Sequence, residues 1–346
     1  MLKNISVSFT EVFQKQFLMY YFNFIDMKGG IGKIEMLKKT NILALVGGGL
    51  NPCFSPKKII IWDDHQGNII SILRFNKNIL NVRLTKEKIF GICEDKIYIF
   101  DLNTLENKSV LETFDNPTGI MAISNEENNK LIIAYPLHRQ GYVNIRNCIN
   151  KKTSKESKII NAHESRLACL SINKDGSLLA SASDKGTLIR IFTIYNGENI
   201  GVFRRGTKNV TMNYISFSPN NVFIGCTSDG GTIHIFSIVN ITKKMNEITK
   251  SNDINNIKEN EKTDDEPKNQ KSFLGKIGGF LKIDYIEQER SFAQFRIQEK
   301  NSLLSFGTYN TIYVITLDGK YYKAAYDPKN GGECQKIEEI NFLNEK

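Results

Sequence analysis

Arg204 and Arg205, followed by Gly206 and Thr207, form the stretch of this chain whose chemistry is easiest to specify. A guanidinium is a permanently charged planar fork that grips phosphate oxygens bidentately, and a glycine beside it lets backbone come close. The flanking stretches, Thr187 to Tyr195 and Met212 to Ser218, alternate apolar and polar residues, which predicts that the pair lies on or beside an extended strand. Successive side chains leave a strand on opposite faces. The two arginines are therefore expected to anchor two neighbouring phosphate sites. A pair of solvated surface arginines is the alternative reading of the dipeptide alone.

Catalytic chemistry finds little support. The six cysteines, Cys53, Cys93, Cys148, Cys169, Cys226 and Cys334, are dispersed and have no histidine at metal-ligand spacing. They are expected to be reduced structural thiols of a cytoplasmic protein. None is followed six residues later by the arginine that a thiolate phosphatase needs to cradle its phosphate. HExxH, GxSxG and Walker A patterns are missing, and Gly47-Gly48-Gly49 is expected to be a turn. No enzyme activity, cofactor or metal is expected. The net charge of +9 suggests an anionic partner, which could be nucleic acid or the negative cytoplasmic leaflet.

The elements that must position the arginines are short strands. Ile42 to Val46, Ile59 to Trp62, Ile69 to Arg74, Val82 to Leu84, Ile89 to Ile92 and Lys96 to Asp101 read as strands joined by polar turns such as Asn76-Lys77-Asn78. Gly119 to Ser124, Lys130 to Ala134 and Tyr142 to Arg146 form a further group, and Asn150 to Lys158 reads as a polar loop. A fifth group runs from Ile159 through Phe203-Arg204-Arg205. The stretch Tyr214 to Asn220 echoes Cys169 to Asp175, on the order of fifty residues apart, which is the internal repeat of a propeller. From about Thr242 the composition turns to Lys, Glu, Asp and Asn, so 242–290 is expected to be a flexible insertion. Ser291 to Ile297, Leu303 to Gly307, Thr311 to Thr316 and Lys320 to Tyr326 are expected to make the last blade.

Together these motifs resemble the PROPPINs, the phosphoinositide-binding β-propellers that include the WIPI proteins. Phe203 to Thr207 is similar to the family's FRRG signature. Gly29 to Gly32, Thr40 to Gly49, and Asn51 through Trp62-Asp63-Asp64 resemble its second blade. Ala162-His163-Glu164-Ser165 and Ala180 to Thr187 match the blade before the signature, and Asp327-Pro328 with Gly331 to Cys334 match near the end. The resemblance implies an all-β, seven-bladed, WD40-like propeller, one domain over 1–346, with a divergent first blade at 1–28. It implies a monomeric peripheral scaffold that binds phosphatidylinositol 3-phosphate and 3,5-bisphosphate. Such a scaffold recruits autophagy proteins on the propeller rim at pre-autophagosomal, endosomal or vacuolar membranes. By the same resemblance, His163, Ser183, Thr187, Arg190 and Arg204 form one phosphoinositide pocket. Arg205, Thr207, Ser228, Thr232 and His234 form the other. Hydroxyls, guanidiniums and imidazoles suit phosphate, and a histidine donor is expected to strengthen below neutral pH. A WD-type protein-interaction or RNA-binding propeller is the alternative; nucleic acid is not expected as a partner.

Two apolar stretches bear on membranes. Phe17 to Ile25 is too short to span a bilayer and is expected to be a buried strand. Within 272–283, Phe273, Leu274, Ile277, Phe280 and Leu281 fall at helical spacing on one face, with Lys276 and Lys282 toward headgroups. Three glycines weaken this helix in water, so the five apolar residues are expected to fold into a membrane surface.

Overall fold

The structure, a computed structural model, describes residues 29–125, 130–137, 139–148, 157–243 and 288–341. It is all-β apart from a helical turn at 239–243. One compact unit covers the described residues up to Met121 together with 135–140, and a second covers the others.

The first unit holds two antiparallel meanders. One is β1 (Ile31–Met36), β2 (Ile42–Gly47), β3 (Lys58–Asp63) and β4 (Asn68–Arg74); the other is β5 (Asn81–Leu84), β6 (Lys88–Ile92), β7 (Lys96–Asp101) and β8 (Asn107–Glu112). Their inner strands read as continuous apolar runs because both faces are covered. Ala44, Val46, Ile59 and Ile61 pack with Val82 and Ile89 in one core.

The second unit repeats the plan. A sheet of β9 (Ala122–Ile123), β10 (Ile132–Pro136, its last two residues counted with the first unit), β11 (Tyr142–Asn147) and β12 (Ser157–Asn161) is followed by β13 (Leu167–Ile172), β14 (Leu178–Ser183), β15 (Leu188–Thr193) and β16 (Asn199–Arg204). The next sheet opens with β17 (Met212–Phe217), β18 (Phe223–Ser228) and β19 (Thr232–Ser237). After the insertion come β20 (Gln288–Arg290), β21 (Ala293–Arg296), β22 (Ser302–Phe306), β23 (Thr311–Thr316), β24 (Lys320–Ala325), β25 (Gly332–Glu333) and β26 (Gln335–Asn341). The core that matters for the arginines lies between the β13–β16 and β17–β19 sheets. There Ala180, Ala182, Ile189, Ile191 and Phe203 meet Ile215, Ile224, Cys226 and Phe236.

Six sheets of four or five strands are thus described, and each carries the four-stranded unit expected of a propeller blade. The stretches 1–28 and 272–283, with Phe273, Leu274, Ile277, Phe280 and Leu281, lie outside the described residues.

Four sequence expectations need correction. Ser157 and Lys158 are not loop: they pair with Arg146 and Ile145 in β12. Ile159 belongs to that same strand, so the fifth group starts only at Leu167. Ala293–Arg296 pairs with β19 and completes its sheet, while the last sheet gains its fourth strand from β26. Period-two alternation marks a strand but does not say which sheet takes it, and a strand after a long insertion was assigned forward instead of back. Finally, the insertion does not reach Arg290: Gln288–Arg290 forms β20, which joins β16 in parallel.

Candidate anion sites on the two faces of β16

Phe203 fixes the position of both arginines. Its ring is 1 % exposed and stacks on Phe236 of β19, with centroids 4.9 Å apart. Burying such a side chain contributes about 1.5–3 kcal/mol, enough to hold the end of an outer strand in one register. Arg204, the last residue of β16, turns to the opposite face from Phe203, and Arg205 continues past the strand end.

The Arg204 face carries a polar array across four strands. In register, Ser181 of β14 stands opposite Arg190 of β15, Arg190 opposite Val202 of β16, and Val202 opposite Gln288 of β20. Leu188, Arg204 and Arg290 form the adjacent row. Paired residues share a face, so Arg190, Arg204, Gln288 and Arg290 all project to one side. Arg190 Nη1 donates to the Ala162 carbonyl at 2.5 Å, which brings it beside His163. His163 Nε2 lies 2.9 Å from Ser181 Oγ, and its backbone N–H donates to Gly141 O. Burial, then the neighbouring Arg190 charge, pushes the His163 imidazole down to about 4. Arg204 donates from Nε to Gln288 Oε1 at 2.7 Å, leaving both terminal nitrogens of its fork without a partner among the described residues. Ser183 is buried at the end of β14 and Thr187 is half-buried at the turn into β15.

Arg205 stands between its own sheet and the next: its hydrogen bonds stay with the β14–β15 turn and the loop after β16, while Cys226 and Asp229 of the following sheet lie close to its charge. Its Nε donates to Gly186 O at 2.6 Å and one terminal nitrogen to Lys208 O at 2.5 Å, while its backbone N–H donates to Thr187 O. Half-burial lowers its pKa, and the nearby Cys226 and Asp229 oppose that shift. The turn that meets it, Ser228-Asp229-Gly230-Gly231-Thr232, repeats Ser183-Asp184-Lys185-Gly186-Thr187 in the preceding sheet. In both, a glycine with positive φ donates its N–H to the serine carbonyl, from Gly186 to Ser183 and from Gly231 to Ser228. The Ser228 hydroxyl is buried and has no hydrogen-bond partner among the described residues, so its desolvation is uncompensated there. His234, within hydrogen-bond distance of Ser291 Oγ at 3.3 Å, is held down to about 4 by burial and then by Arg205 and Arg296. Thr232 is half-buried and faces Arg296 in register; Thr207 is exposed.

The geometry therefore gathers His163 and Arg190 closely and sets Arg204 on their face, and it gathers Arg205, Ser228 and His234 separately. Thr207 stands apart, without a recorded contact to the second group. Burial and the adjacent arginines hold both imidazoles down to about 4, so a histidine donor that strengthens below neutral pH would do so only in acid. A methyl added at Gly206 would meet nothing within 4 Å among the described residues, and its φ is not positive, so the fold itself does not require glycine there. Ser181, Gln288, Arg290 and Arg296 were missed. Ser181 is one small residue in the run Ala180 to Ser183, and the others reach the two sites only through pairings across the insertion. The six cysteines are free thiols; burial pushes Cys93 up to about 11 and Cys169, Cys226 and Cys334 up to about 12, as expected of structural residues.

With that geometry in place, comparison with known proteins gives a consistent result. The sequence model of the family described as PROPPIN matches residues 50–343. The chain is 31 % identical to Autophagy-related protein 18e of Arabidopsis thaliana, over 92 % of this chain and 78 % of that one. It is 29 % identical to Autophagy-related protein 18 of Yarrowia lipolytica, covering 93 % and 89 %. Among solved structures, Kluyveromyces lactis Hsv2 with its complete loop 6CD overlays with a TM-score of 0.67 at 19 % identity, covering 90 % and 86 %. A structure titled as a complex of KlAtg21 with the coiled-coil of AgAtg16 gives 0.63 at 20 % identity, covering 89 % and 84 %. These likenesses establish an all-β fold of the propeller class, and by sequence the chain belongs to the PROPPIN family.

Proposed function

We propose that this chain is a peripheral membrane scaffold that binds 3-phosphoinositides, phosphatidylinositol 3-phosphate and 3,5-bisphosphate, through two sites on either side of Arg204-Arg205. Family membership and the autophagy-related names of the relatives support a role in autophagosome formation and in endosomal or vacuolar traffic, with recruitment of autophagy proteins on the rim. The protein works by binding, not by catalysis, and reaches its membranes from the cytoplasm. Phe273, Leu274, Ile277, Phe280 and Leu281 enter the lipid interface after the arginines dock. No helix among the described residues is long and apolar enough to cross a membrane, which accords with peripheral attachment.

One observation carries the reading: adjacent guanidiniums face two different polar groups. Arg204, on the same face as Arg190, has two terminal nitrogens without a partner among the described residues, and Arg205 lies beside a buried serine hydroxyl that likewise lacks one. A phosphate monoester supplies the acceptor oxygens that each group needs. Charge-assisted contacts of this kind contribute about 1.5–3 kcal/mol each, and two weak sites on one membrane gain by avidity.

Flotation with liposomes matched in surface charge tests the reading. Liposomes with 3-phosphoinositides should carry the protein upward; those with an equal charge of phosphatidylserine should not. Binding to RNA with no preference for 3-phosphoinositide would overturn it.

A further inference from the structure

Beyond the ten residues assigned to the two sites, β20 brings a further cation to the first. This short strand follows the long insertion and adds to the free edge of β16 as a fifth, parallel strand. Its register is Val202 with Gln288, Phe203 with Glu289 and Arg204 with Arg290. Alternation puts Glu289 on the Phe203 face and Gln288 and Arg290 on the Arg204 face. Neighbouring strands lie about 4.8 Å apart, so the roots of the Arg204 and Arg290 side chains are side by side.

Like charges directly opposite each other in a sheet repel and are disfavoured unless something compensates. Among the described residues no carboxylate pairs with Arg204 or Arg290; Arg204 donates to the neutral amide of Gln288. Arg290 is exposed, and among the described residues its guanidinium has neither a hydrogen bond nor an ion pair. Arg190 shares this face one row away, opposite Val202, with its own Nη1 committed to the Ala162 carbonyl. Three guanidiniums thus gather on one face, and the insertion returns to the sheet in the register that completes them.

We propose that Arg290 is a phosphate-binding residue of the first site, and that Gln288 is a positioning residue that sets the angle of the Arg204 fork. This rests on the reading of that site as a 3-phosphoinositide site and adds the strand after the insertion to it. The ligand chemistry is a phosphate monoester dianion, which a lipid headgroup or free phosphate could present. The insertion and the headgroup site are then physically one device, since the residue that closes the insertion also touches the ligand.

The test uses the full chain with three probes: inorganic phosphate, soluble inositol 1,3-bisphosphate, and vesicles of phosphatidylcholine with phosphatidylinositol 3-phosphate. Arg290→Gln should weaken soluble inositol 1,3-bisphosphate about tenfold at one of two calorimetric sites and weaken vesicle binding in parallel. Gln288→Ala should weaken it less, with unchanged thermal stability. Lys96→Gln, an equal loss of charge at an exposed position in the other unit, should leave binding unchanged. Parallel weakening of inorganic phosphate supports a site for the bare anion, whereas a loss confined to inositol 1,3-bisphosphate and vesicles supports a lipid-headgroup site; both keep Arg290 in contact with phosphate. Unchanged soluble binding by Arg290→Gln overturns the inference, including the case where vesicle binding alone falls. If Arg204→Thr loses binding while Arg290→Gln does not, the inference fails and the phosphoinositide reading stands. Wild-type protein that binds none of the three probes defeats both.

Discussion

Phe203 and Phe236 stack with their ring planes 24° apart, tying the outer strand of one sheet to an inner strand of the next. The two charged residues that follow Phe203 therefore inherit their placement from an apolar contact, and it can be cut without touching a charge. Phe203→Ala should cost about 3–5 kcal/mol, read as a lower denaturant midpoint. Liposome binding should fall at both sites together, because both arginines lose their anchor.

Replacing Arg204 and Arg205 together by Thr should abolish flotation with 3-phosphoinositide liposomes while the circular dichroism spectrum keeps its β character. The single changes should differ in stability. Arg205 holds two backbone carbonyls and is half-buried, so Arg205→Thr should lower stability by about 1–3 kcal/mol, and Arg204→Thr by less. Equal melting temperatures for the two would contradict the assigned hydrogen bonds.

Ser228→Ala separates ligand binding from folding. The hydroxyl is buried and unpartnered among the described residues, so removing it should leave stability unchanged or raise it by up to about 1 kcal/mol. Binding of soluble headgroup at the second site should nevertheless weaken about tenfold, since the hydroxyl is then lost as a donor to phosphate. A destabilised variant with normal affinity would refute its place in the site.

Acid should loosen the second unit. His163 and His234 are held down to about 4 by burial and adjacent arginines, against an ordinary value of 6.5. Between those values the unfolded chain takes up protons that the folded chain refuses, so the contribution is complete above pH 6.5 and disappears as the pH falls through 4. Urea midpoints measured at descending pH should fall across that window, and His163→Asn should flatten part of the fall. A midpoint independent of pH in this window would contradict the burial of both rings.

Two glycines near the arginines should respond in opposite ways. Gly186 has φ of +63°, and an added methyl would stand 2.1 Å from the Val210 carbonyl. Gly186→Ala should cost at least about 1–3 kcal/mol and, because Gly186 O holds Arg205, weaken the second site more than the first. Gly206→Ala meets open space and should change stability by no more than about 0.5 kcal/mol. Loss of headgroup binding by this stable variant would show that the space is where the ligand approaches.

Much of this was legible in the sequence for a specific reason. The Ser-Asp-x-Gly-Thr turns and the echo of Cys169 to Asp175 in Tyr214 to Asn220 are local patterns, and local patterns survive being read in one dimension. Alternation around Arg204 and Arg205 is what predicts that they part to different faces, and it places Arg204 at the end of a strand. Ala293–Arg296 was placed in the wrong sheet because nothing in its own residues names β19 as its partner across the insertion. Gln288 and Arg290 were hidden in the same way: they close a long insertion, and only backbone pairing makes them neighbours of Arg204. The histidines were recognisable as residue types, but their burial, which fixes their titration, is a property of the packed sheets.

The pairing of β20 with β16 also decides where this chain can safely be cut. A strand at the border of a sheet offers a row of unsatisfied N–H and C=O groups to any other chain, and β20 covers part of that border. Trimming the insertion through Arg290 would strip the cover from β16 and leave an adhesive seam next to Phe203. A truncated protein of that kind would self-associate, and its failure on membranes would be misread as loss of the insertion's own contacts. A deletion that stops at residue 287 keeps the seam closed.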